Sequence, residues 1–108
     1  MDRKYVWLGE VAKRLGVSPL PESWANIDAW LPVIEKIQGD GSNVILKWDG
    51  GRTPPSEFAH GACTVVISGG GLQSQFIRRD ADLITDALSW ALIEYAQLRH
   101  GWKQGADC

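Results

Sequence analysis

The chain of 108 residues has the length of one ordinary domain, and its 44% hydrophobic and 22% charged residues are typical of a globular protein. Its 11 basic and 13 acidic side chains give a formal net charge of -2, which excludes a strongly basic coat for nucleic acid and argues against a DNA mimic. No apolar run approaches the ~20 residues of a membrane span. Gly9 and Glu10 end the first apolar stretch too early for a signal peptide, so we expect a cytoplasmic protein without a membrane partner.

The first predicted element is a helix near the start of the chain. Its apolar residues recur at helical spacing and stop at Gly16; they are Leu8, Val11, Ala12 and Leu15. Prolines punctuate the residues that follow. We therefore assign residues 1–21 to a helix and a proline-containing linker.

A second helix is predicted over residues 28–38. Its apolar positions repeat with the same period; they are Trp30, Val33, Ile34 and Ile37. Asp28 is a suitable N-cap, and Pro32 falls in the first turn, where proline is tolerated.

Residues 43–79 are predicted to form a three-stranded antiparallel sheet. The run 43–49 alternates, with Val44, Leu46 and Trp48 on one face. Residues 49–62 contain several glycines and prolines and are predicted to form a long loop. A β-branched strand follows over 63–68, and the glycines at 69–71 turn the chain into a third strand over 73–78. Neighbouring strands of this kind pair antiparallel.

The last predicted helix spans residues 80–100, with Asp80 or Asp82 as its cap and Gly101 at its end. One stripe along it is apolar and comprises Ile84, Leu88, Ala91, Leu92, Tyr95 and Leu98. Trp90 and Ile93 lie off that stripe. Either another segment covers them, with the N-terminal helix as the candidate, or they face a partner.

These elements predict one α+β domain over residues 1–108. A three-stranded antiparallel sheet packs with a long C-terminal helix, and one or two helices precede the sheet.

The sequence contains no motif that indicates catalysis, a cofactor or a metal. The glycines at 69–71 lack the Lys and Ser/Thr that complete a phosphate-binding loop. His60 and Cys63 form a lone pair, whereas structural zinc needs four ligands. We therefore expect no enzyme, no cofactor and no bound metal.

Residues 8–18 resemble the first helix and turn of the helix-turn-helix in excisionase-like and MerR-like regulators, with Ala12 as the small residue and Gly16 in the turn. The resemblance implies a DNA-binding regulator. Pro19 and Pro21 fall where the recognition helix would lie, and no basic residue follows through Asp28, which disfavours binding to DNA phosphates.

A second resemblance covers residues 29–98. Its pieces are Ala29-Trp30 with residues 33–37, the strands around Trp48 and residues 65–67, and Ala81-Asp82 leading to residues 87–88 and 91–92. This stretch resembles small phage-encoded proteins with an ABA-sandwich domain, and the order of elements is also similar to immunity proteins of bacterial toxin systems. The resemblance implies an accessory protein of a phage or mobile element.

The favoured hypothesis is a non-catalytic binding protein that inhibits a bacterial defence protein, in the manner of an anti-CRISPR protein. The six tryptophans support it, because Trp and Arg dominate interface energies when they are buried. The predicted contact residues lie on the long loop and its shoulders, at the end of the third strand and off the stripe of the last helix: Trp48, Asp49, Arg52, Glu57, Phe58, His60, Arg78, Arg79, Trp90 and Ile93.

Three alternatives stay open beside it: a toxin immunity protein, a sponge for a small nucleotide with a pocket where Arg78 or Arg79 meets the glycine turn, and the DNA-binding regulator. Arg78 and Arg79 could instead pair with nearby acids such as Asp80 and Asp82. The partner would be a defence component or a toxin, and the chain itself a monomer or a homodimer.

Overall fold

Three α-helices and three strands make up the part of the chain that the structure, a computed structural model, describes, namely residues 3–17, 26–49 and 62–101. In chain order they are α1 (Arg3–Leu15), α2 (Leu31–Gly39), β1 (Asn43–Trp48), β2 (Cys63–Ser68), β3 (Phe76–Ala81) and α3 (Ile84–His100). Short 3-10 turns, Ile27–Trp30 and Gly70–Leu72, precede α2 and β3. No helix within those ranges is long and apolar enough to cross a bilayer.

The strands form one antiparallel sheet in the order β1-β2-β3. The predicted α+β class, with a three-stranded antiparallel sheet and a C-terminal helix packed on it, is therefore confirmed. In one cross-strand row, Val44 lies opposite Ile67, which lies opposite Ile77. Both isoleucines are buried, and α3 packs against β2 and β3. This row therefore marks the face of the sheet that forms the core.

The core joins this face to all three helices. From α1 it takes the four residues that the spacing predicted, and it takes Val33 and Ile37 from α2. α1 packs against α3, and the rings of Trp7 and Trp90 meet edge to face at 6.2 Å. Ile93 is only 5% exposed. Of the two alternatives for Ile93, burial under another segment is therefore correct, and its assignment to a contact surface is wrong.

Some boundaries differ from the predicted ones. β3 begins at Phe76 rather than at residue 73, because the 3-10 turn continues into Gln73, whose φ of 56° breaks the extended conformation. At the other end, β3 continues through Asp80, so this residue does not cap α3. The N-cap of α3 is Leu83, which has no side-chain cap bond. The closing Gly101 is confirmed, with a left-handed φ of 67°.

Two further expectations about helix positions are corrected. Asp28 lies inside the 3-10 turn before α2 and does not cap that helix, whose N-cap position is held by Trp30. Pro32 does lie in the first turn of α2. Leu98, predicted on the apolar stripe of α3, is 43% exposed.

Two glycine turns meet at one end of the sheet. A Cβ built on Gly70 would lie 2.6 Å from the carbonyl carbon of Gly41 and 2.9 Å from the amide nitrogen of Ser42. Gly70 also has a φ of +59°, which residues other than glycine rarely adopt. The turn after α2 and the turn after β2 can therefore touch only if position 70 has no side chain.

We expect Gly70→Ala to lower the free energy of unfolding by about 2 kcal/mol or more, because backbone atoms must move to admit the methyl group. Chemical denaturation measures this. Gly9→Ala is the matched control: Gly9 lies inside α1 with nothing near its missing Cβ, so this change should stabilise the chain by ~0.5–1 kcal/mol. Equal stability of Gly70→Ala and the unchanged chain would contradict the close turn contact.

Candidate functional site

The second face of the sheet points away from the core. Its residues form three cross-strand rows: Asn43, Ser68 and Phe76; Ile45, Val66 and Arg78; and Lys47, Thr64 and Asp80. We call these nine residues the outer face. Phe76 is 64% and Ile45 54% exposed, so its large apolar side chains are open to solvent.

The charges that the outer face exposes are cationic. The side chain of Arg78 is 57% exposed, and its Nε lies 3.4 Å from Oδ2 of Asp80, which is 17% exposed. The hydroxyl of Thr64 also donates to Asp80. The Nζ of Lys47 lies 3.8 Å from Oδ2 of Asp49. Each acid is less exposed than its basic partner, so a molecule approaching the outer face meets apolar and basic groups first.

The predicted contact residues separate in the structure. Arg78 lies on the outer face, whereas Arg79 points to the core side, where its Nε and Nη2 donate to Oε1 of Glu94 at 2.9 and 2.8 Å. Trp48 ends β1 on the core side of the sheet, yet it is 60% exposed. Trp90 is partly exposed on α3.

Four of the predicted contact residues lie outside the described residues: Arg52, Glu57, Phe58 and His60. The segment that would hold the recognition helix of a helix-turn-helix, around Pro19 and Pro21, also lies outside them. The preceding helix is described. Its Arg14 donates from Nη2 to the carbonyl oxygen of His100 at 3.1 Å, which ties α1 to the end of α3.

A polar cluster that sequence reasoning did not predict lies at the opposite side of the core. The Oδ2 of Asp40 accepts a hydrogen bond from the hydroxyl of Tyr95 at 2.6 Å and lies 2.9 Å from Nε2 of His100. The Nζ of Lys36 lies 3.5 Å from Oδ1. Asp40 follows α2, and its two ring partners are in α3, 55 and 60 residues later. No local pattern connects positions so far apart, so sequence reasoning missed the cluster.

Burial and hydrogen bonding shift two pKa values in this cluster. Burial alone would raise the pKa of Asp40, but the hydrogen bonds from Tyr95 and His100 and the charge of Lys36 outweigh it and lower that pKa. Burial and the hydrogen bond to Asp40 raise the pKa of Tyr95 far above its ordinary 10.0. The cluster therefore holds a carboxylate and a neutral phenol. Their hydrogen bond joins α2 to α3, which makes this cluster a structural tie.

Two further polar side chains contact the glycine turn at residues 69–71. Ser42 is buried and its Oγ donates to the carbonyl oxygen of Gly69 at 2.9 Å. The glycine turn receives the guanidinium of Arg99, which lies where a Cβ of Gly71 would be. Within the described ranges, no three His, Cys, Asp or Glu residues are grouped closely enough to hold a metal ion. The exposed outer face is therefore the feature most suited to binding.

No model of a known protein family matches the chain, and neither does any curated protein or solved structure.

We expect Tyr95→Phe to lower the free energy of unfolding by about 1–3 kcal/mol, because it leaves a largely buried carboxylate without one of its hydrogen-bond donors. Urea denaturation of Tyr95→Phe, Asp40→Asn and the double variant measures the coupling between the two groups. Additive effects of the two substitutions would contradict the tie.

The lowered pKa of Asp40 predicts a pH dependence of stability. The folded state favours the carboxylate, so this contribution is fully present above the pKa of the unfolded chain and is lost as the pH falls through the lower folded value. The stability difference between the unchanged chain and Asp40→Asn should therefore be greatest above about pH 5 and shrink below about pH 4. A difference that stays constant from about pH 5 down to about pH 2 would be evidence against the shift.

Proposed function

We propose that the chain is a non-catalytic binding protein of a phage or mobile element. It inhibits a bacterial defence protein in the host cytoplasm by occupying it, as an anti-CRISPR protein does. Its contact surface is the outer face of the sheet.

One observation supports this proposal more than any other: Phe76, 64% exposed, and Arg78, 57% exposed, stand two residues apart on the same side of β3. Aromatic residues and Arg are the types enriched at the energetic centre of protein interfaces. Val66, on the adjacent β2, extends the apolar area beside Arg78.

The rigid backing of this face also suits a binding role. β2 is paired on both sides, and the opposite face of the sheet is packed against α3. A backbone held in a paired and packed sheet loses little further freedom on binding, which lowers the entropic cost of association.

A toxin immunity protein would use the same kind of surface, and the identity of the captured partner separates the two. The nucleotide sponge receives less support. Arg79 forms an ion pair with Glu94, so it is not placed to bind a nucleotide phosphate. Arg78 lies near Asp80, in agreement with the alternative that it pairs with a nearby acid. The DNA-binding hypothesis predicts an electrophoretic shift with random duplex DNA at low salt, and the absence of a shift would contradict it.

The proposal predicts that Phe76→Ser removes partner binding and leaves folding intact, because the lost contacts are with the partner and not with the core. The measurement is affinity capture from bacterial lysate, read by mass spectrometry, with thermal unfolding in parallel. Leu83→Ser is the matched control, since Leu83 is 62% exposed but lies between β3 and α3, off the outer face. A specific partner should be retained by this control.

The captured protein is then assayed with increasing amounts of the chain. We expect inhibition that is complete near equimolar amounts, and no inhibition by Phe76→Ser. Equal capture by the unchanged chain and by Phe76→Ser would contradict the outer face as the contact surface. Inhibition at amounts far below equimolar would contradict a non-catalytic mechanism.

A further inference from the structure

Among the described residues, β1 is an edge strand of the sheet and pairs only with β2. The amide of Asp49 donates to the carbonyl oxygen of Ala62, directly opposite, at 2.7 Å. This bond shows which residues of β1 exchange hydrogen bonds with β2. Directly opposite residues exchange hydrogen bonds only at every second position. The backbone N–H and C=O groups of Val44, Leu46 and Trp48 therefore point away from β2, along the edge.

A groove lies beside the first half of this edge. It has a volume of about 450 Å³, and its lining comes from α2, β1 and the turn between them: Ile34, Gln38, Ser42, Asn43, Val44 and Ile45. Sites that hold small organic molecules span ~300–1,000 Å³, so the groove has room for one aromatic side chain. No lining residue carries a formal charge, which favours an apolar occupant.

The residues of β1 complement themselves in an antiparallel register centred on Leu46. When two copies of Leu46 face each other, Trp48 of the second copy lies opposite Val44, on the side where α2 forms the groove. Trp48 is 60% exposed, and the two-fold symmetry places each indole in the groove of the other copy. Lys47 of each copy then lies opposite Ile45, and its methylene chain covers that side chain.

Charge agrees with this register. Asn43 lies opposite Asp49 of the second copy, an amide donor facing a carboxylate acceptor. A register centred on Lys47 would instead place two ammonium groups opposite each other, which is destabilising. A register centred on Ile45 would place Asn43 opposite Lys47 and Trp48 opposite Ser42, which lies before the first residue of β1.

We propose that two copies of the chain pair through β1 into one six-stranded antiparallel sheet, with Trp48 of each copy in the groove of the other. The arrangement is isologous and closed, so it ends at a dimer. It joins the outer faces of both copies into one continuous surface. The inference goes beyond the proposed function and does not depend on it.

Sedimentation equilibrium of the full chain over a dilution series tests the pairing. We expect a reversible monomer–dimer equilibrium, and we expect Trp48→Ser to weaken it roughly tenfold or more, as loss of a central interface Trp does. Phe76→Ser is the control and should leave the equilibrium unchanged, because it removes an outer-face contact on β3 and not an edge contact. Circular dichroism establishes that each variant is folded.

A charge pair at Asn43 tests the register. Asn43→Lys would face Asp49 of the second copy and tighten the dimer, whereas Asn43→Asp would weaken it, each roughly two- to tenfold because the contact occurs twice. Gln97→Lys and Gln97→Asp, on the exposed surface of α3, control for net charge and should have no effect.

A chain that is monomeric at every concentration would overturn the proposal. A dimer whose dissociation constant is unaffected by Trp48→Ser would overturn it as well. If Asn43→Asp tightens the dimer and Asn43→Lys does not, the proposed register is wrong, and so is the position of Trp48 in the groove of the other copy. A partner that binds the monomer through Phe76 would leave the proposed function standing while the dimer fails.

Discussion

The α3 helix lies across one face of the three-stranded sheet that the described residues form, and the other features depend on this packing. Nine of the seventeen residues of α3 are buried, against β2 and β3 on one side and α1 on another. Burying one large aliphatic side chain contributes about 1.5–3 kcal/mol, so this helix organises most of the core. Because α3 covers a single face, the opposite face keeps its exposed side chains.

Polar contacts then fix the C-terminal half of α3 relative to the rest of the fold. At its last turns, Tyr95 and His100 meet Asp40 after α2, and Arg14 of α1 bonds the final carbonyl group. Near its middle, Glu94 holds Arg79 of β3. These contacts join α3 to three other elements. The titratable groups in these contacts therefore orient α3 within the fold.

Periodicity made the elements predictable. Leu8, Val11 and Leu15 lie in the core as their helical spacing predicted. The alternation in β1 correctly placed Val44 and Leu46 on one face, and the structure shows that this face is the core side. Boundaries set by turn geometry were not predictable in the same way. The left-handed backbone of Gln73 places the start of β3 later than the alternation predicted. An aspartate near the start of a helix caps it only if the backbone places that residue at the N-cap position. Asp80 lies in β3 instead.

The candidate surface was only partly within reach of sequence reasoning. Arg78 and Trp48 were chosen by residue type and are exposed, but Ile93 is buried because α1 folds back onto α3. Phe76 was missed, since the predicted strand gave no sign of which face would stay open. That property is set by the packing of α3, which no local pattern encodes.

The most direct test of the central claim is NMR chemical-shift mapping of the isotope-labelled chain with its captured partner. If the outer face makes the contact, the shifts concentrate at Val66, Phe76 and Arg78 and leave α1 and the surroundings of Asp40 unchanged. Shifts concentrated in α1, or at Asp40 and His100, with none on the outer face, would contradict the account.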